Sequence, residues 1–211
     1  VHLRFREMAL KTLVKVSGVT NLSDARYCAG MGVEMIGFGL DENHPKFIEL
    51  AKLREISVWI SGIKVVGEFN GDNLDNVNYL SHEIPLDFVQ LNHLPHLEIL
   101  NHIKNPIILK LDIEKDGLEE IEEAMNKYAG SVMFFLLESA VYSIADLEEV
   151  LENWCGKYNI IVGFDINDQS LPVVINKINP KGIGLHGGHE IKPGLKNFEH
   201  LADILELLEE D

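Results

Sequence analysis

Six ionisable side chains recur at one kind of place in this sequence. Lys15, Glu68, Lys110, Asp112, Glu138 and Asp165 each fall at or near the carboxyl end of a short apolar run. Side chains in extended backbone alternate between two faces. That parity groups Lys15 with Ser17, Lys64 with Glu68 and Lys110 with Asp112, and it sets Gln90 and His186 at the ends of two further runs. Carboxylates, ammonium groups, an amide and an imidazole on one rim would suit proton transfer on a small polar ligand. Two readings stay open. Buried charges must be paired or partly solvated, so the set is either a working site or a structural ion-pair cluster closing the mouth of the fold.

The elements that must carry these residues are strands. Apolar runs at 13–17, 34–38, 63–69, 87–91, 106–112, 132–138, 159–165 and 182–186 alternate with helical patterns near 22–31, 46–57, 73–82, 95–103, 117–129, 143–155, 169–178 and 197–209. Strands separated by helices pair in parallel through crossover connections. Eight such units predict an α/β fold, a closed (β/α)8 TIM barrel with its chemistry at the carboxyl ends of the strands. An open doubly wound sheet would use about five strands and leave the others unexplained. The chain reads as one domain over residues 1–211, with 1–12 as an N-terminal extension, a strand or arm across the barrel bottom. Asn21, Ser143 and Asn197 are predicted to cap the first, sixth and last helices, and Pro106 to open its strand.

Composition narrows the function classes. At 211 residues and 46% apolar content the chain can bury one substantial core. A net charge of -16, with no Lys/Arg cluster, argues against nucleic acid as a partner. The acidic residues of 119–123, 146–152 and 206–211 read as solvated helix faces. Cys28 and Cys155 make neither a disulfide framework nor a zinc site. His93 with His96, and His186 with His189, share a three-residue spacing, but strands four and eight lie on opposite sides of such a barrel. Metal binding needs three or four convergent ligands, so no metal is expected. No run is long enough to span a bilayer, and the first residues lack a signal-peptide pattern. The expectation is a cytoplasmic monomer or homodimer, without cofactor or membrane contact, that binds a small molecule, phosphorylated or not.

The run Lys15-Val16-Ser17-Gly18-Val19-Thr20-Asn21, followed by Asp24-Ala25 and Met35-Ile36-Gly37-Phe38, resembles the opening βαβ unit of the phosphoribosylanthranilate isomerase family. The resemblance continues through His44-Pro45-Lys46-Phe47, Asp87-Phe88-Val89-Gln90-Leu91, Leu136-Leu137-Glu138-Ser139 and the segment from Gly182 to Glu190. It implies an Amadori rearrangement of an aminoaldose phosphate, in which an acid protonates the ring oxygen and a base removes the C2 proton. By this resemblance Ser17 stands at the catalytic Cys position and Glu138 at the catalytic Asp position. Lys46 replaces an Arg associated with the anthranilate carboxylate. Lys15, Gln90, Lys110, Asp112, Asp165 and His186 are candidate substrate-binding residues, and Gly187 and Gly188 keep half of a phosphate-binding turn.

Two departures from the family pattern bear on the ligand. Asp165 falls where a Gly-Gly-Leu turn would hold the other half of the phosphate, and Ala140–Ile144 replaces a Gly-Gly-Thr-Gly loop. Like charges at about 5 Å repel by roughly 3 kcal/mol at an effective dielectric near 20, so either Asp165 faces away or the ligand is not a phosphate. With Ser17 at the catalytic Cys position and Glu138 at the catalytic Asp position, the expectation is an isomerase-family protein acting on a small sugar or phosphosugar with altered or weakened activity. The alternatives are a non-catalytic binding or regulatory paralogue and a genuine isomerase of tryptophan biosynthesis.

Overall fold

The computed structural model describes residues 9–71, 73–187, 189–192, 195–197 and 199–210. Eight parallel strands close into a barrel in sequence order: β1 (Leu13–Ser17), β2 (Met35–Gly39), β3 (Lys64–Phe69), β4 (Phe88–Leu91), β5 (Ile107–Asp112), β6 (Phe134–Glu138), β7 (Ile160–Val162) and β8 (Gly182–His186). The barrel closes where β1 pairs with β8, in a register that sets Lys15 opposite Gly184 and Ser17 opposite His186. The strands are covered on both sides, so they read as near-continuous Ile, Leu and Val rather than as alternating patterns. Met35, Val66, Ile108, Leu136 and Ile161 fill the inside of the barrel. A larger apolar layer joins the outer strand faces to the helices.

The helices are α1 (Leu22–Gly30), α2 (Leu50–Ser57), α3 (Leu74–Glu83), α4 (Leu97–Leu100), α5 (Ile113–Asp116), α6 (Leu118–Tyr128), α7 (Ile144–Lys157), α8 (Leu171–Val173) and α9 (Glu199–Leu208). Asn21 Oδ1 caps α1 by accepting from Asp24 N at 2.9 Å, and Ser143 caps α7 in a full capping box with Asp146. Pro106 lies just before β5 and gives its carbonyl to Val89 N at 3.0 Å.

Several boundaries differ from the sequence reading. The short α5 was not expected; Gly117, at φ 80°, separates it from α6, which falls on the predicted 117–129. The short α8 runs into a π-helical turn at Val174–Ile178 that ends on left-handed Asn179. Asn197, expected to cap the last helix, belongs instead to β10 (Leu195–Asn197), antiparallel to β9 (His189–Lys192), and α9 begins at Glu199. Of the predicted arm, residues 1–8 lie outside the described residues. The rest pairs with the end of α9 beneath the barrel: Lys11 N donates to Leu208 O at 2.9 Å and Glu210 N to Ala9 O at 3.0 Å. Among the described residues no helix is long and apolar enough to cross a membrane.

Candidate active site

β1 delivers Lys15 and Ser17 to the inside of the barrel, as parity requires, and left-handed Gly18 (φ 68°) turns the chain away immediately afterwards. Lys15 is fully buried. Its Nζ donates to Ser17 Oγ at 2.6 Å and to Glu68 Oε1 at 2.7 Å. Glu68 Oε2 accepts from Gly18 N at 3.2 Å and faces His44 Nε2 at 3.7 Å. Gly37 makes room for this cluster, since a Cβ there would lie 2.0 Å from Glu68 Oε1. Burial would raise the Glu68 carboxyl, but the Lys15 charge and hydrogen bond outweigh it. With smaller help from His44 and the Ser17 hydroxyl, they hold Glu68 below its ordinary value. His44 is shifted down, chiefly by burial, although Glu68 and Asp41 pull it up. A neutral imidazole accepts one hydrogen bond and donates the other. His44 Nδ1 accepts from Lys46 N at 3.1 Å, which leaves the Nε2–H aimed at Glu68.

Across the mouth, Glu138 at the end of β6 is ion-paired to Lys110 of β5 and stands 3.4 Å from His186 Nε2. Both groups line one cavity of about 470 Å³, together with Lys46, Gln90 and Asp112. Asp112 has a second task, capping α5 by accepting from Lys115 N at 3.3 Å. Its carboxyl is shifted up by burial and by hydrogen bonding to Glu114, while the Ser139 hydroxyl and Val141 N help hold Glu114 down at about 2 against burial.

Asp165 stands apart from the group that parity assigned it to. β7 stops at Val162, and Asp165 lies beyond it in a left-handed conformation (φ 49°). Its Oδ2 accepts from Ile144 N at 2.8 Å and its Oδ1 from Asn167 Nδ2 at 2.8 Å, so the carboxylate is turned onto the amino end of α7. It borders a separate depression of about 400 Å³ between the ends of β7 and β8, shared with His186, Gly187 and His200. Gly187 is not a free donor there, because its N–H is given to Ser17 O at 3.0 Å, extending the β1–β8 ladder. Gly188 lies outside the described residues. Lys64 and Glu68 share a face as expected but sit at opposite ends of β3, and Lys64 pairs instead with Asp87 at 3.1 Å.

Sequence reasoning gave no site role to His44, Asn70 or Asn92. His44 reaches the cavity from the loop after β2, where strand parity carries no information. Only its closeness to Lys46 in sequence marked it. Cys28 is buried in α1, away from the cavity.

A family model described as N-(5'phosphoribosyl)anthranilate (PRA) isomerase matches residues 14–207. The chain belongs to the PRA isomerase family. Curated members of similar sequence include the isomerases of Maridesulfovibrio salexigens (25% identical, covering 92% of this chain and 96% of that one) and Petrotoga mobilis (26% identical, covering 92% and 95%). Among solved structures, the PRA isomerase of Thermotoga maritima superposes with a TM-score of 0.77 at 20% identity, covering 92% of this chain and 97% of that one. Another PRA isomerase structure holds reduced 1-(o-carboxyphenylamino)-1-deoxyribulose 5-phosphate, and it matches with a TM-score of 0.76 at 21% identity over the same shares. The structural likeness carries the barrel, and the family model carries the membership. Within this family's barrel, Ser17 and Glu138 meet the same cavity from β1 and β6.

Proposed function

We propose that this chain isomerises N-(5'-phosphoribosyl)anthranilate to the corresponding aminoketose, as a working enzyme of tryptophan biosynthesis. The observation that carries the reading is the shared cavity of Ser17 and Glu138, each beside a lysine, in a chain that matches the family from residue 14 to 207. The curated relatives bear the isomerase name over nearly their whole length, which favours this reading over an altered ligand or a silent binder.

In this mechanism Glu138 is the acid side. Once protonated, it gives its proton to the ring oxygen as the sugar opens to an iminium. Lys110 and His186 hold the carboxylate that remains. Ser17 is the base side. A serine hydroxyl is a weak base unless a neighbour takes its proton. Lys15 occupies a lone pair of Ser17 Oγ, which leaves the hydroxyl hydrogen directed away from Lys15 and available to Glu68. The C2–H bond breaks, its proton passes to Ser17 Oγ, and the serine proton passes to Glu68. The C2 electron pair forms the C1–C2 double bond and neutralises the iminium, and tautomerisation then gives the ketose. Lys46 takes the anthranilate carboxylate. The phosphate end lies toward β7 and β8, where Asp165 is already committed to α7.

The test is conversion of the purified chain's substrate to the ketose, together with growth of a tryptophan-requiring bacterium that lacks the isomerase. Turnover and rescue are expected. Binding of the reduced ketose phosphate without turnover would replace this reading with the non-catalytic one.

A further inference from the structure

Three amides form a relay along the β3–β4 side of the mouth. Gln90 Nε2 donates to Asn92 Oδ1 at 2.7 Å, Asn92 Nδ2 donates to Asn70 Oδ1 at 2.7 Å, and Asn70 Nδ2 donates to Asn43 O at 3.5 Å. The last partner sets the direction of all three. A backbone carbonyl can only accept, so Asn70 turns its NH2 toward it and its oxygen toward Asn92. Asn92 must then turn its oxygen toward Gln90, and Gln90 must present its NH2 to Asn92. The other end of Gln90 is fixed by what remains. Oε1 is buried, and it has no hydrogen-bond partner among the described residues. Gln90 itself is 2% exposed and lines the central cavity.

We infer that Gln90 Oε1 is a specificity-determining acceptor, held in advance for an uncharged N–H or O–H donor of the ligand. A buried acceptor without a partner is costly, and a ligand donor that reaches it removes that cost. A ligand that presents an acceptor or an apolar atom there leaves the cost in place. Discrimination of this kind, by a site built to hydrogen-bond one group, is much larger than that gained by fitting a methylene. The inference rests on the isomerase reading, under which the donor is the amine N–H joining the aromatic ring to the sugar or a sugar hydroxyl. Gln90 is on β4, across the barrel from the β7–β8 depression, which favours the amine.

The experiment uses the reduced ketose phosphate and two analogues, one with an ether oxygen in place of the amine and one lacking a sugar hydroxyl. Affinities are measured by calorimetry on the wild-type chain and on Gln90→Met. One analogue should bind wild type about 10- to 100-fold more weakly than the parent compound, as expected for an unmet buried acceptor. In Gln90→Met the gap should shrink to within about threefold. The identity of the weakened analogue names the donor. If the parent compound binds wild type and neither analogue is weakened, the inference is overturned and the isomerase reading stands. If the parent compound does not bind, the reading falls and the inference falls with it. The wild-type comparison decides the matter even where Gln90→Met fails to fold.

Discussion

Lys15 Nζ and Glu68 Oε1 lie 2.7 Å apart, with no solvent-exposed surface on the lysine side chain and 2% on that of the glutamate. Bringing two charges this deep into a barrel is unfavourable unless each finds the other. Removing either partner strands the remaining charge. Glu68→Gln or Lys15→Met should each cost about 3–5 kcal/mol of stability, whereas the double variant Lys15→Met with Glu68→Leu should cost much less. Urea unfolding of the three variants checks this, and a loss in the double variant equal to the sum of the two single losses would show that the pair is not coupled.

The same pair gives stability a pH dependence of known sign. Glu68 is held below its ordinary 4.5 in the folded chain. A depressed carboxyl stabilises the fold above its unfolded pKa, and that contribution is lost as pH falls through the folded value. Stability should therefore drop as pH falls below about 4.5, the ordinary value of this carboxyl. The drop should be shallower in the Lys15→Met, Glu68→Leu double variant. Melting temperatures measured in steps across that range separate the two curves.

Gly37 is the silent partner of the ion pair. A methyl group at Gly37 would stand 2.0 Å from Glu68 Oε1 and 3.0 Å from Lys15 Nζ. Both contacts are with the charged ends of buried side chains. Gly37→Ala should push Glu68 off Lys15 and lower turnover at least tenfold, a rise of about 1.4 kcal/mol in the barrier. Gly30, where a Cβ meets nothing within 4 Å, is the control, and Gly30→Ala should leave turnover unchanged.

How far the site could be read from sequence follows from where strand geometry applies. The barrel was legible because strands buried on both faces must be apolar runs, and eight of them alternate with helical patterns. Parity also brought Lys15 to Ser17, Lys110 to Asp112 and Gln90 to the rim, because all lie within strands. It failed for Asp165, since β7 ends at Val162 and the left-handed turn after it redirects the side chain. It could not reveal His44, which a loop folds back over Gly39. Nor could it show that the Gly187 N–H is taken by Ser17 O, because that bond depends on the β1–β8 register.

Asp165 is open to direct test as a helix cap. Its carboxylate takes Ile144 N at 2.8 Å, and its backbone is left-handed. Asp165→Gly loses the cap and relieves the backbone, while Asp165→Ala loses the cap and keeps the strain. Alanine should therefore be the worse of the two by about 1 kcal/mol, the usual cost of a Cβ in this region. Asp165→Asn should leave phosphate affinity unchanged at low and high salt. A marked tightening at low salt alone would mean that the carboxylate faces the anion after all.

Ser17 decides whether the relay to Glu68 is the chemistry of this barrel. Ser17→Ala removes the group that receives the C2 proton and should lower kcat at least 100-fold with little change in KM, because the hydroxyl acts in the transition state rather than in binding. Ser17→Cys changes the kind of base. A thiol titrates near 8.5 without help, and a neighbouring lysine lowers that value further. The thiolate takes the proton itself, so the cysteine variant should no longer depend on Glu68. Glu68→Asp should slow the wild-type chain at least tenfold and enlarge the isotope effect on C2-deuterated substrate. In the Ser17→Cys background the same change should cost less than threefold. The cysteine variant should also gain a rise of activity with pH, below 8.5, that the serine enzyme lacks. Equal sensitivity to Glu68→Asp in both backgrounds would show that Glu68 only supports the fold, and another group would have to be sought as the base.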